Sequence, residues 1–196
     1  MTAQRLQQAL DAIDRANTAD PHRIDHGGSC QPKELVHAAL VSQWIDRLVP
    51  DASEPLQLAA RAHHLERWVI PRASYPEGRK GYLAWRRALQ NHHVECAREI
   101  LSRLGYDESI LERVEEILRK RRLRSDPEVQ CFEDALCLVF LETQFTELAI
   151  RLGDSKMIEI LRRTLPKMSD QAKQEALALA LRPKDRALLE RALEAR

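Results

Sequence analysis

The chain has 196 residues, enough for one domain, with or without a helical appendage, and enough to bury a core without disulfides or a structural metal. Hydrophobic residues make up 44% and charged residues 31%, which excludes a disordered chain, while a formal charge of +1 says nothing by itself about partners. Four cysteines without a CxxC pair, and no apolar leader after Met1, predict reduced thiols in a cytoplasmic protein. The apolar run of residues 131–141 contains Glu133 and Asp134, so no membrane segment is expected.

Apolar residues recur at helical spacing through nearly the whole chain, which predicts about nine helices and no strand. The first clear break is 20–32, followed by helices at 33–49 and 55–69. Residues 70–86, IPRASYPEGRKGYLAWR, are the densest non-helical stretch by composition, rich in proline, glycine, aromatic and basic residues. Asp107 is the expected N-cap of a helix at 109–122, and Asp126 of the next, with Pro127 in its first turn. Helices at 155–165, 170–181 (capped by Ser169) and 184–193 complete the chain. The expected architecture is all-α, a single helical core domain over 1–152 with a C-terminal helical appendage over 153–196 packed on it. No histidine lies beyond His93, so no chemistry is placed in the appendage.

The pattern His-His-x-Glu occurs twice, at His63-His64-Leu65-Glu66 and His92-His93-Val94-Glu95. Residues three, four, seven and eight apart share a helix face, and this separates the histidines. His93 shares its face with Leu89, Ala97, Ile100 and Leu104, whereas His92 is turned aside and Glu95 points away. His37 shares a stripe with Leu40, Val41, Trp44 and Leu48, with Glu34 one turn earlier on its flank. On the 55–69 helix His64 and Glu66 fall on opposite borders of the core face, and His63 is expected to be exposed. Asp134 shares its face with Gln130, Leu138, Leu141 and Phe145, and a buried carboxylate requires a partner. His37, His64, His93 and Asp134 are therefore the candidate ligands of a divalent transition metal (Mn, Fe, Co or Zn). The competing interpretation is a buried hydrogen-bond network of the same residues.

The order of these residues resembles the HD-domain superfamily of all-helical metal-dependent phosphohydrolases, in which a His, a His-Asp pair and a later Asp hold the metal. His37, the His63-His64 pair and Asp134 follow that order, and His93 matches the additional histidine of dinuclear members. The His-Asp signature is absent, because Leu65 follows His64. The resemblance implies an HD-like bundle and a catalytic role for Glu66, which would move a proton from the attacking water. Over nearly the full chain, PKELVHA, AARAHHLERWVIPRASYP, GYLAWR, DPEVQCFEDALCLVFLE and KMS resemble a widespread helical family of unknown function. That resemblance puts weight on His64, His93, Gln130, Glu133 and Asp134, and less on His37 and His63. Some relatives carry a glutamyl-tRNA synthetase label, but that chemistry needs a nucleotide-binding α/β domain, which an all-helical chain does not supply.

Arg72, Arg79 and Arg86 surround Tyr75, Tyr82 and Trp85, while Lys120 lies in the run RKRRLR. Arginine forks bind phosphates and aromatic rings stack on bases. Arg72, Tyr75, Arg79, Trp85, Arg86, Lys120 and Gln130 are thus the candidate contacts to a phosphorylated small molecule, nucleotide or RNA. Two functions follow as expectations: a metal-dependent phosphohydrolase acting on a nucleotide or RNA phosphate, or a non-catalytic RNA- or nucleotide-binding helical module whose buried His/Asp set is structural.

Overall fold

The computed structural model describes residues 2–194, and among these it is essentially all-helical. Ten α-helices run in order: α1 Thr2–Asn17, α2 Lys33–Leu48, α3 Glu54–Ala62, α4 Gly78–Arg103, α5 Glu108–Leu118, α6 Pro127–Thr143, α7 Phe145–Leu152, α8 Asp154–Thr164, α9 Asp170–Ala178 and α10 Pro183–Glu194. No helix among the described residues is long and apolar enough to cross a membrane. Cys30, Cys96, Cys131 and Cys137 are free thiols.

The expected caps form. Asp107 accepts from the Ile110 amide, Ser169 from Ala172, and Asp126 from both Glu128 and Val129, satisfying amides that the first helical turn leaves open. Three expectations need correction. The 20–32 break holds a small antiparallel hairpin, β1 Arg23–His26 with β2 Ser29–Pro32. Its turn is Gly27-Gly28, both at positive φ as a tight hairpin turn requires. The helix expected to reach residue 69 stops at Ala62, and 63–66 are turns ahead of a short 3-10 segment, Arg67–Val69. The stretch 70–86 becomes helical at Gly78, where α4 begins.

The contacts divide the chain into two compact units. The first comprises the residues up to Gln43 together with Asp51–Arg121. Here α3 packs against α1 and α5, and α4 against α1 and α5. Ile13, Leu56, Leu58, Leu65, Leu101 and Ile117 are its fully buried large side chains. The second unit comprises Trp44–Pro50 and the residues from Arg122 onward. In it α6 packs on α7 and α9, and α8 on α7 and α10, around Phe132, Leu138, Phe145 and Met157. Burial of such side chains contributes about 1.5–3 kcal/mol each and drives the packing of both units.

Candidate metal centre

The residue that organises the histidines is Glu34, in the first turn of α2. The buried carboxylate of Asp20 accepts the Glu34 amide at 3.0 Å, and the Lys33 amide bonds to the His22 carbonyl, so the segment holding the hairpin fixes the start of α2. Glu34 is 4% exposed and His37, one turn on, 3%. His64 reaches Glu34 from the turn after α3 and donates from Nδ1 to Oε2 at 2.8 Å, while His37 Nδ1 lies 3.6 Å from the same oxygen. One donor atom from each of Glu34, His37 and His64 lies within 4.8 Å of the other two.

Two further imidazoles surround this group. The His63 ring lies 4.2 Å from that of His64, and the His93 ring, on α4, 5.8 Å from it. His63 Nδ1 donates to the Ala60 carbonyl at 3.0 Å and His93 Nδ1 to the Leu65 carbonyl at 2.8 Å. Carbonyl oxygens only accept, so in the neutral rings the proton sits on Nδ1 and Nε2 is left with its lone pair. The correction at His63 is specific: it is 6% exposed, not on the outer face, because α3 ends before it and helical phase no longer sets its direction.

The electrostatics suit an ionised carboxylate among neutral rings. Burial would raise the Glu34 carboxyl, but the hydrogen-bonding imidazoles of His37 and His64 outweigh it and hold the group far below the usual carboxylate range. Burial pulls His64 down to about 4, against the opposing pull of Glu34, and His93 down to about 3. His63 falls well below its ordinary value for the same reason. Two imidazole nitrogens and a carboxylate oxygen are the donor set of zinc, manganese, iron or cobalt. An ion on these atoms would replace the Nδ1 proton that His64 donates to Glu34, and their 2.8 Å spacing would open by about half an ångström to reach the nitrogen–oxygen edge of a coordination tetrahedron.

The other expected residues fall as follows. Asp134 is 3% exposed, and its Oδ1 accepts from Gln130 Nε2 at 2.9 Å and from the Ser169 amide at 2.8 Å, all within the second unit. Gln130 Nε2 also donates to the Lys167 carbonyl. Neither Asp134 nor His93 joins a convergent group of three ligands among the described residues. Glu66 lies instead with His92 and Cys96. Arg72 is committed to the loop, its two terminal nitrogens donating to the carbonyls of Tyr75 and Pro76 at 2.9 and 3.0 Å. Trp85 is buried and its Nε1 donates to the Ile70 carbonyl. Arg79 and Arg86 are exposed, Tyr75 is half-buried, and Lys120 is half-buried at a positive φ of 55°.

Sequence reasoning missed Arg67. Its guanidinium lies 4.9 Å over the Trp85 ring, and its buried Nε has no hydrogen-bond partner. It sits close enough to His64 to oppose protonation of that ring, and burial lowers its own pKa against the opposing pull of Glu34. A helix assumed to continue through residue 69 hid it; the positive φ at Glu66 turns the chain and redirects Arg67. In RKRRLR, Arg119 and Arg121 both pair with Glu115, and Arg124 donates to the Pro166 carbonyl.

No curated protein and no solved structure matches this chain. A family model does match, over residues 7–189, and the chain therefore belongs to the family described as a domain of unknown function, DUF4202.

Proposed function

We propose that this chain is a metal-dependent phosphohydrolase acting on a nucleotide or RNA phosphate, with its cation held by Glu34, His37 and His64. The observation that carries the reading is the convergence of those three donors near Arg67, a half-buried arginine whose buried Nε is unbonded. Such an ion would supply Lewis acidity towards a phosphoryl oxygen and towards water. Glu34 provides the negative charge that attracts a cation, and the imidazoles of His37 and His64 would offer it nitrogen donors. His63 and His93, tied to backbone carbonyls, pack around His64 and hold its ring in place. Arg67 and the neighbouring Arg86 receive the phosphate, and Trp85 braces Arg67 from below. Asp134 is left out of the ligand set because Gln130 and Ser169 already satisfy it.

The non-catalytic RNA-binding reading is weaker, because the arginines that would carry it are engaged with Glu115 and a backbone carbonyl. The test is metal analysis of protein purified without chelator or affinity-tag nickel, combined with hydrolysis of aryl phosphate mono- and diesters in the presence of Mn, Fe, Co or Zn. Metal-dependent turnover that disappears in Glu34→Gln is expected. Absence of both metal uptake and turnover overturns the proposal.

A further inference from the structure

A second group of donors lies outside the Glu34 cluster and has no part in the reading above. We propose that Glu66, His92 and Cys96 form a separate cation site for zinc or a similarly thiophilic divalent ion. His92 and Cys96 stand one turn apart on α4, which puts both on one helix face, and Glu66 approaches from the turn after α3.

The distances are those of a coordination polyhedron. Cys96 Sγ is 3.6 Å from His92 Nε2 and 3.7 Å from Glu66 Oε2, and His92 Nε2 is 3.9 Å from the same oxygen. A tetrahedral zinc with ordinary bond lengths to sulfur, nitrogen and oxygen has donor–donor edges of about 3.3–3.6 Å. Cys96 Sγ is also 3.7 Å from His92 Nδ1, so the donors need to close by a few tenths of an ångström and the His92 ring to turn until Nε2 faces the ion. In the metal-free chain the Cys96 thiol donates to Glu66 Oε2, a weak sulfur hydrogen bond that an ion would replace.

Two independent features support the site. Glu66 has a left-handed backbone, φ 52°, which a residue with a side chain rarely adopts, and its amide is held by Asn17 Oδ1 at 3.1 Å. With that backbone its carboxylate lies against Cys96 and His92 of α4. Beside the donors lies an open cleft of about 380 Å³ lined by Ala12, Ala16, Glu66, Cys96, Ile100 and Arg103, among others. It provides an entry path and room for a fourth ligand, the pattern of a site with three protein ligands and one exchangeable position. On binding, the Cys96 S–H bond breaks, a sulfur–metal bond forms and the proton leaves to solvent. Sulfur is the distinguishing donor, since the Glu34 cluster offers only nitrogen and oxygen; the two sites should therefore select different ions.

Cobalt(II) is the probe, because a thiolate ligand gives it a charge-transfer band that nitrogen and oxygen donors do not. The full chain carrying Cys30→Ser, which removes the exposed thiol, is titrated with cobalt and then with zinc. The band is expected to appear, to be displaced by zinc, to vanish in Cys96→Ser and to persist in Glu34→Gln. The affinity of His92→Gln should fall by more than the roughly tenfold that loss of even an outer-sphere partner costs. No band, or a band that survives Cys96→Ser, overturns the proposal. Should Cys96→Ser fail to fold, Glu66→Gln and His92→Gln, each made in the Glu34→Gln background that disables the other cluster, decide it: a cobalt band and a zinc affinity, by competition with a chromophoric chelator, that are unchanged in both overturn the site. Because the band reports sulfur alone, its outcome is independent of whether the Glu34 cluster binds metal.

Discussion

Glu34 Oε2 and His64 Nδ1 lie 2.8 Å apart although thirty residues separate them in the chain. The pair joins the first turn of α2 to the turn after α3, with the Glu34 side chain 5% exposed and that of His64 26%. Glu34→Gln keeps an oxygen for His64 but removes the charge. Stability without metal should fall by about 1–3 kcal/mol, the cost of weakening a buried hydrogen bond to a charged group. Metal uptake should fall far more. Urea denaturation in the presence of chelator and metal analysis separate the two effects, and unchanged metal content removes Glu34 from the ligands.

The same cluster fixes a pH dependence for the metal-free protein. His64, facing Glu34 and His37 on α2, His63 beside it, His93 on α4 and Arg67, binds its proton at about 4 when folded but near 6.5 when unfolded. His93 behaves likewise, with a folded value of about 3. Between these limits the unfolded state holds more protons, so stability declines as pH falls from about 6.5, by up to about 1.4 kcal/mol per pH unit for each histidine. Glu34 acts in the same direction lower down: its contribution is complete above its unfolded value of 4.5 and is lost as pH falls below that. Denaturant midpoints measured from pH 7 to pH 4 should decrease steadily. His93→Gln should flatten the decrease, and a profile level down to pH 4.5 contradicts the assigned protonation states.

The inward directions of His37, His93 and Asp134 were legible in the sequence because each lies in an unbroken helix, where residue spacing fixes direction. The direction of His63 was not, since α3 stops one residue before it. What Asp134 would bond to was equally hidden: a buried carboxylate announces that it needs a partner, and the local Gln130 and a distant amide both supply one. Glu34 carried a readable signal, its Glu-x-x-His spacing with His37, but its burial depends on Asp20 fixing the helix start from a hairpin too short and polar to show strand alternation.

Arg67 separates a phosphate site from a bare metal site. Arg67→Ala should lower affinity for phosphate esters, or inhibition by inorganic phosphate, by about ten- to a hundredfold, the worth of a charge-assisted hydrogen bond to an anion. Metal content should be unchanged. Arg67→Lys should recover only part of the loss, because an ammonium does not reproduce the planar fork stacked on Trp85. Phosphate affinity that is unaltered in Arg67→Ala places the substrate elsewhere.

Asp134→Asn and Asp134→Ala test the exclusion of that residue. Burial raises the Asp134 carboxyl above its ordinary range even though Ser169 and Gln130 donate to it. An amide oxygen can replace Oδ1, so Asp134→Asn should change stability by less than about 1 kcal/mol, whereas Asp134→Ala strands the Ser169 amide, leaves Gln130 only its bond to the Lys167 carbonyl, and should cost about 1–3 kcal/mol. Neither should alter metal stoichiometry. Loss of metal in Asp134→Asn, with stability intact, restores it as a ligand.

Gly81 tests the loop that leads into α4. It is buried, and a Cβ at this position would lie 1.8 Å from the Pro76 carbonyl oxygen, a backbone atom that cannot rotate away. That carbonyl is also held by Arg72, whose second nitrogen grips Tyr75, so displacing it disturbs the whole turn. Gly81→Ala improves helix propensity by about 1 kcal/mol, yet the clash should dominate and leave a net loss of about 2 kcal/mol or more. Trp85, one turn further along α4, reports the change through its hydrogen bond to Ile70, so a shift in tryptophan fluorescence should accompany the loss. A variant as stable as the parent, with unchanged fluorescence, means that the loop yields and that Arg72 is free to leave it for a ligand.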